Sequence, residues 1–215
     1  MTPTPETPRR GLTGAIVPAL AAAGLAGLLT LSIVWPKGEE NAPPIGCITQ
    51  HVEDIGGPIS LLDSRGHGVT EADLAAAGPA IVYFGFTHCP DACPTAMYAL
   101  AQALQSPGGY DIQPVLISID PERDTPAVMD EYVKTGGFPP GLIGLTGTPE
   151  QVRAAAEAFR VQYSKSPLEG GDYTMNHTSL FYVMDKNWRT TAVMPSQNAT
   201  PQGVAACIAE GLRHS

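Results

Sequence analysis

Apolar positions along this chain fall into short runs broken by Gly, Pro and polar turns, and the period changes from one run to the next. "PAIVYFGF", residues 79–86, is a continuous β-rich apolar run, the pattern of a strand covered on both faces. "QPVLISID" (113–120) repeats it as a second central strand, and "GLIGLTG" (141–147) predicts a third, shorter one. Helical patterns lie between them. One runs from about Asp91 to Gln105 and stops before "SPGG"; "TPAVMDEYVKTG" carries Pro126 in its first turn. "TPEQVRAAAEAFRVQY" (148–163) opens with a Thr cap, a Pro at the first position and a Glu in the first turn. "GPISLLDSRGHGV" (57–69) predicts a hairpin turning near Arg65 and Gly66. "SLFYVMD" and "WRTTAVMP", separated by "KN", predict an antiparallel pair, preceded by a long polar loop and followed by the amphipathic "PQGVAACIAEGLRH".

Strands alternating with helices, then a terminal hairpin and helix, describe an α/β domain with a mixed central sheet flanked by helices. A thioredoxin-like fold is the most economical choice. In such a sheet reactive groups collect at the carboxyl ends of central strands.

The start of the chain has a different pattern. "GLTGAIVPALAAAGLAGLLTLSIVW", residues 11–35, carries no charge and is long enough as a helix to cross a hydrocarbon core of about 30 Å. Arg9 and Arg10 precede it, while Lys37, Glu39 and Glu40 follow with no positive excess. The positive-inside rule then gives a cytoplasmic N-terminus (1–10), a transmembrane anchor (11–35), a linker (36–56) and an exported domain (57–215). The expected location is a bacterial cytoplasmic membrane, single-pass, with the domain in the periplasm. A cleaved signal peptide is the competing reading, since "ALAAAGLA" offers small residues in an A-x-A pattern.

Composition narrows the remaining choices. The chain has 215 residues, 15% of them charged, with a net charge of −9 and no run of Lys or Arg, so nucleic acid is excluded as a partner. Four cysteines in an exported domain permit disulfides. Cys47, just past the linker's charged part, and Cys207, in the last amphipathic stretch, are expected to bridge the two ends of the domain; two idle thiols are the alternative. Such a bridge would contribute about 5 kcal/mol in the chain-entropy model.

The chemistry concentrates in "YFGFTHCPDACPTAMYAL", where a strand runs into a helix and Cys89 and Cys93 stand four residues apart. A redox dithiol is usually C-x-x-C, whereas four residues is about one helical turn, so both sulfurs can face one ion. The helix N-terminus favours thiolate and is expected to lower both thiol pKa values. Pro90 and Pro94 stiffen the turn. His177, immediately before a strand, is the best third ligand, although a lone loop histidine is more commonly an ordinary surface residue. His88 lies next to Cys89, where its side chain is expected to diverge from the sulfurs. His51, His67 and His214 sit in linker, turn and tail, where solvation is the default. Three functions stay open on these residues: metal binding, thiol–disulfide exchange between Cys89 and Cys93, and a peroxidase suggested faintly by Thr87-His88-Cys89.

"GFTHCPDACP", "ISIDPERDTP" and "YTMNHTSLFYVMD", in this order and spacing, resemble the Sco/SenC proteins, copper chaperones of cytochrome c oxidase synthesis. The resemblance runs from about Ile59 to Pro195 and includes the single N-terminal anchor. It implies a copper site, Cu(I) or Cu(II), built by Cys89, Cys93 and His177, with Asp120 supporting the loop and not binding metal. Soft thiolates with one imidazole suit Cu(I). Zinc is the rival, with Asp91 as a possible fourth ligand. The implied function is a periplasmic metallochaperone delivering copper to the dinuclear copper site of an oxidase subunit; a thiol reductase acting on that subunit's cysteines is the alternative. Implied partners are the oxidase subunit, other periplasmic copper chaperones and thioredoxin-like reductants. Cys47 and Cys207 depart from the family pattern.

Overall fold

The computed structural model describes residues 44–106 and 110–213. The expected anchor, the N-terminus before it and His214 lie outside the described residues, and among those described no helix is long and apolar enough to cross a membrane.

The elements in chain order are β1 (Ser60–Asp63), β2 (Gly68–Thr70), α1 (Glu71–Ala77), β3 (Ala80–Gly85), α2 (Ala92–Leu104), β4 (Gln113–Ser118), α3 (Pro126–Tyr132), β5 (Ile143–Thr146), α4 (Pro149–Ala158), β6 (Tyr163–Pro167), β7 (Tyr173–His177), β8 (Leu180–Met184), β9 (Thr190–Pro195) and α5 (Pro201–Arg213). All six residues of β3 are buried, as its uninterrupted apolar run requires. It pairs in parallel with β4, from Ala80↔Gln113 to Gly85↔Ser118, and antiparallel with β8. The seven-stranded order is β2-β1-β5-β4-β3-β8-β9, with β6 and β7 forming a separate two-stranded ribbon. Helices α2 and α5 pack on each other, α3 packs on β5 and α4 on β1. This is the mixed, helix-flanked α/β arrangement of a thioredoxin-like fold.

Helix ends follow their local chemistry. Thr125 caps α3 by accepting from the Val128 N–H, with Pro126 at the first position. Thr148 and Gln151 cap α4 reciprocally, the Thr148 N–H donating to Gln151 Oε1 at 2.8 Å and the Gln151 N–H to Thr148 Oγ1 at 3.3 Å.

Four features differ from the expected pattern. Residues 71–77 form a short helix with only Leu74 buried, too little apolar face to announce itself. The helix expected over 148–163 stops at Ala158: Phe159 and Val161 are both buried, a period of two, and Arg160 between them has φ 54°. The expected polar loop is the β6–β7 ribbon, in register from Tyr163↔His177 to Pro167↔Tyr173. Its strands bury little, so they lack the alternation that would mark them. Its turn closes with the Leu168 N–H donating to Asp172 O, and Gly170 and Gly171 supply the positive φ (87° and 88°) that other residues adopt at a cost.

The fourth is the linker's end. Cys47 and Cys207 form a disulfide with Cα atoms 5.4 Å apart, and Ile48 bridges to Val193 in both directions. Residues 47–56, assigned to the linker, are therefore part of the folded body; Val52 is buried, and Ile55 O accepts from Thr190 Oγ1 at 2.6 Å.

Candidate metal centre

The chain leaves the central strand β3 at Gly85 and turns through Phe86–Pro90 into α2. That path puts Cys93 in the first turn of α2 and Cys89 just ahead of it. Both thiols are free; Cys93 is fully buried and Cys89 is 9% exposed. The Cys93 N–H, one of the unpaired donors of the helix start, donates to Cys89 Sγ at 3.2 Å. Gly85 makes this approach possible: a Cβ there would lie 3.1 Å from Cys93 Sγ and 2.9 Å from the Tyr83 ring.

The two thiols differ in acidity, where the sequence predicted both lowered. Cys89 is pulled below the ordinary thiol range, chiefly because the Cys93 thiol donates to its thiolate, with N–H groups of Cys93, Asp91 and Ala92 adding to this. Cys93 is pushed up because its own ionisation would forfeit that bond and because it is buried. Helix position alone misses this, since two adjacent thiols share one donor set.

His177 ends β7 and reaches the cysteine side of the sheet. Its Nδ1 lies 2.9 Å from Thr178 O, which can only accept, so Nδ1 carries the proton and the Nε2 lone pair is free. Nε2 stands 3.9 Å from Cys93 Sγ. The rings of Tyr83 and Phe86 meet the imidazole edge-on, each with centroids 6.1 Å away. Burial lowers the pKa of His177, keeping the imidazole neutral and able to ligate. A cleft of about 370 Å³ opens above, lined among others by Phe86, Cys89, Asp91, Met175, His177 and Gln197. Among the described residues no three His, Cys, Asp or Glu side chains already converge as a closed cluster. Cys89 and His177 line the cleft, and the fully buried Cys93 stands 3.9 Å from His177 Nε2.

The "DPERD" turn after β4 holds both sides of that cleft. Asp124 is fully buried and accepts from the Thr87 hydroxyl (2.6 Å), the Thr87 N–H (3.1 Å) and the Ser118 hydroxyl (2.6 Å), fixing the loop that leads to Cys89. Its pKa is raised by burial, against the pull of those hydrogen bonds. Asp120 accepts from the Tyr173 hydroxyl at 2.8 Å and pairs with Arg123 at 2.5 Å. Arg123 lies over the Tyr173 ring, 3.7 Å from its centroid, and donates to Tyr173 O at 2.9 Å. These contacts clamp β7, the strand that carries His177. Asp120 does not line the cleft, in keeping with a supporting role.

The other candidates lie elsewhere. His88 is exposed and turns towards Thr87 Oγ1 (3.0 Å) and Asp124 (4.0 Å). Asp91 lines the cleft, and its Oδ1 accepts from Thr95 at 3.2 Å. His67 pairs with Asp63 at 3.4 Å in the β1–β2 turn, and His51 is exposed. Sequence reading missed Tyr83, Asp124, Arg123 and Tyr173; all four sit inside quoted stretches, but only tertiary pairing shows what they touch.

A dithiol at the end of a central parallel strand, faced by an imidazole on a clamped ribbon, defines a thioredoxin-like protein with a sulfur–nitrogen centre. The family model described as SCO1/SenC matches residues 48–213. The chain belongs to the SCO1/SenC family. It is similar to the mitochondrial SCO1 homologue 1 of Arabidopsis thaliana, at 47% identity over 133 residues, 60% of this chain and 39% of that protein. It is similar also to the human mitochondrial SCO1 homologue, at 39% identity over 164 residues, 74% of this chain and 53% of that protein. This chain thus spans about half or less of those relatives. The solved structure of Arabidopsis thaliana ScoI with copper bound matches with a TM-score of 0.70 at 40% identity, covering 75% of this chain and 99% of that one.

Proposed function

We propose that this protein is a membrane-anchored copper metallochaperone, which takes copper as cargo on Cys89, Cys93 and His177 and passes it by ligand exchange to the dinuclear copper site of cytochrome c oxidase. One observation carries the reading: a neutral imidazole with its Nε2 lone pair 3.9 Å from the sulfur of a dithiol. Thiol exchange alone has no need of that nitrogen. Two sulfurs and one imidazole suit three-coordinate Cu(I), and the copper-bound relative at 40% identity supports the choice over zinc. Residues 11–35 serve as the anchor, with the N-terminus in the cytoplasm and the domain in the periplasm, supported by the uncharged apolar run behind Arg9 and Arg10.

The unequal thiols favour a second activity at the same site. Cys89, the more acidic, attacks a partner disulfide and Cys93 resolves the mixed disulfide, leaving the partner with two thiols and this protein with a Cys89–Cys93 bond. A dithiol reductant must then restore the pair. The test is complementation of cells lacking the gene with His177→Ala: the chaperone reading expects failed oxidase assembly although Cys89 and Cys93 still form their disulfide. Normal assembly by His177→Ala would leave the reductase reading in its place.

A further inference from the structure

Met175 stands two residues before His177 on β7, so both side chains project from the same face of the strand. On that face Met175 is buried and Tyr173 and His177 are half-buried; on the other, Thr174 is half-buried and Asn176 exposed. Tyr173, at the head of the row, is clamped by Asp120 and Arg123, and His177, at its end, faces Cys93. Met175 lies between them and lines the cleft that Cys89 and His177 share. The remaining polar groups on that cleft belong to Asp91, Thr174, Asn176, Ser179 and Gln197. All of these offer hard oxygen or amide donors. Among the described residues Met175 is the one methionine that lines this cleft, and it also borders the pocket behind it with Ile119 and Asp120; Met97, Met129, Met184 and Met194 are buried elsewhere in the core.

We infer that Met175 is an additional, soft ligand for cuprous ion at this centre. This rests on the proposed copper site and deepens it. A neutral thioether binds Cu(I) and adds little to Cu(II), so a methionine on the cleft shared by Cys89 and His177 would bias the site towards the reduced ion. It also gives copper a sulfur to hold while one thiolate is surrendered to a partner. A core methionine is ordinarily a gap-filler, and that ordinary role predicts no copper dependence at all.

The test uses the full chain in detergent with Cu(I) or Cu(II) as the probe, and the volume-conserving Met175→Leu, which retains the packing. Cu(I) affinity should fall by about tenfold or more, the scale of lost support at a metal site, while Cu(II) affinity stays within about twofold. In selenomethionine-labelled protein loaded with Cu(I), X-ray absorption at the copper edge should show a selenium neighbour that disappears in Met175→Leu. Unchanged Cu(I) affinity without a selenium neighbour would overturn the assignment while leaving the two cysteines and His177 as the site. An unlabelled copper shell with equal losses for both ions would mark Met175 as packing only. A wild-type chain that holds no copper would overturn this inference together with the metallochaperone reading.

Discussion

The Thr87 hydroxyl donates to the buried Asp124 carboxylate across 2.6 Å, and that bond ties the cysteine loop to the turn after β4. Two further donors, the Thr87 N–H and the Ser118 hydroxyl, converge on the same carboxylate. Asp124→Ala removes the acceptor of the buried Ser118 hydroxyl and the half-buried Thr87 N–H, and leaves the Thr87 hydroxyl only His88 Nδ1, 3.0 Å away. Hydrogen bonds to a charged group contribute about 1.5–3 kcal/mol each, so a net loss of about 3 kcal/mol is expected in chemical denaturation, together with faster alkylation of Cys93. Unchanged stability would show that the loop holds itself.

Tyr173 carries the opposite arm of the site. Tyr173→Phe removes only the hydroxyl that Asp120 accepts at 2.8 Å and keeps the ring under Arg123. The expected cost is about 1 kcal/mol, read as faster amide hydrogen exchange in β7, with weaker copper binding through a less fixed His177. Exchange confined to other strands would contradict this clamp.

Acidity separates the two thiols. Cys89 has its pKa lowered by the Cys93 thiol and the helix-start N–H groups, so its alkylation rate in the reduced protein should hold steady down to a pH well below the usual thiol value near 8.5. Cys93→Ala removes the main donor, and the Cys89 midpoint should rise. Because the folded pKa is depressed, the thiolate contributes stability above the unfolded value, and this is lost as pH falls through the folded one. A Cys89 midpoint at the ordinary value would remove the hydrogen bond from the account.

The Cys47–Cys207 disulfide closes most of the folded chain, its two cysteines 160 positions apart in sequence. Denatured without reductant, protein with its motif pair reduced should show two reactive thiols, and four after reduction. Replacing both cysteines with Ser should lower stability by up to about 5 kcal/mol and leave copper binding intact.

Much of this was legible in the sequence because burial and period coincide. The unbroken apolar run of β3, the Thr and Pro starts of α3 and α4, and the strand-to-helix join at Cys89 all depend on local chemistry. Cys47 and Cys207 were pairable from compartment and position. The β6–β7 ribbon was not legible, since "YSKSP" and "YTMNH" are mostly polar and gain their order from pairing and from the Tyr173 clamp. His177 stands out in the sequence as the best candidate for a third ligand, but nothing local marks the strand that ends on it. The unequal acidity of Cys89 and Cys93 and the grip of Asp124 on Thr87 depend on contacts between segments far apart in the chain, which no local pattern encodes.

A copper site of two sulfurs and one imidazole stands or falls on copper stoichiometry. The full chain in detergent is loaded with Cu(I) under reducing conditions, desalted and assayed for metal, as wild type and as Cys89→Ser, Cys93→Ser and His177→Ala. One copper per chain is expected in the wild type and loss of copper in each variant, because Ser offers a hard un-ionised hydroxyl and Ala no ligand. His177→Ala that retained copper with wild-type affinity, while the cysteine variants lost it, would contradict the three-ligand centre.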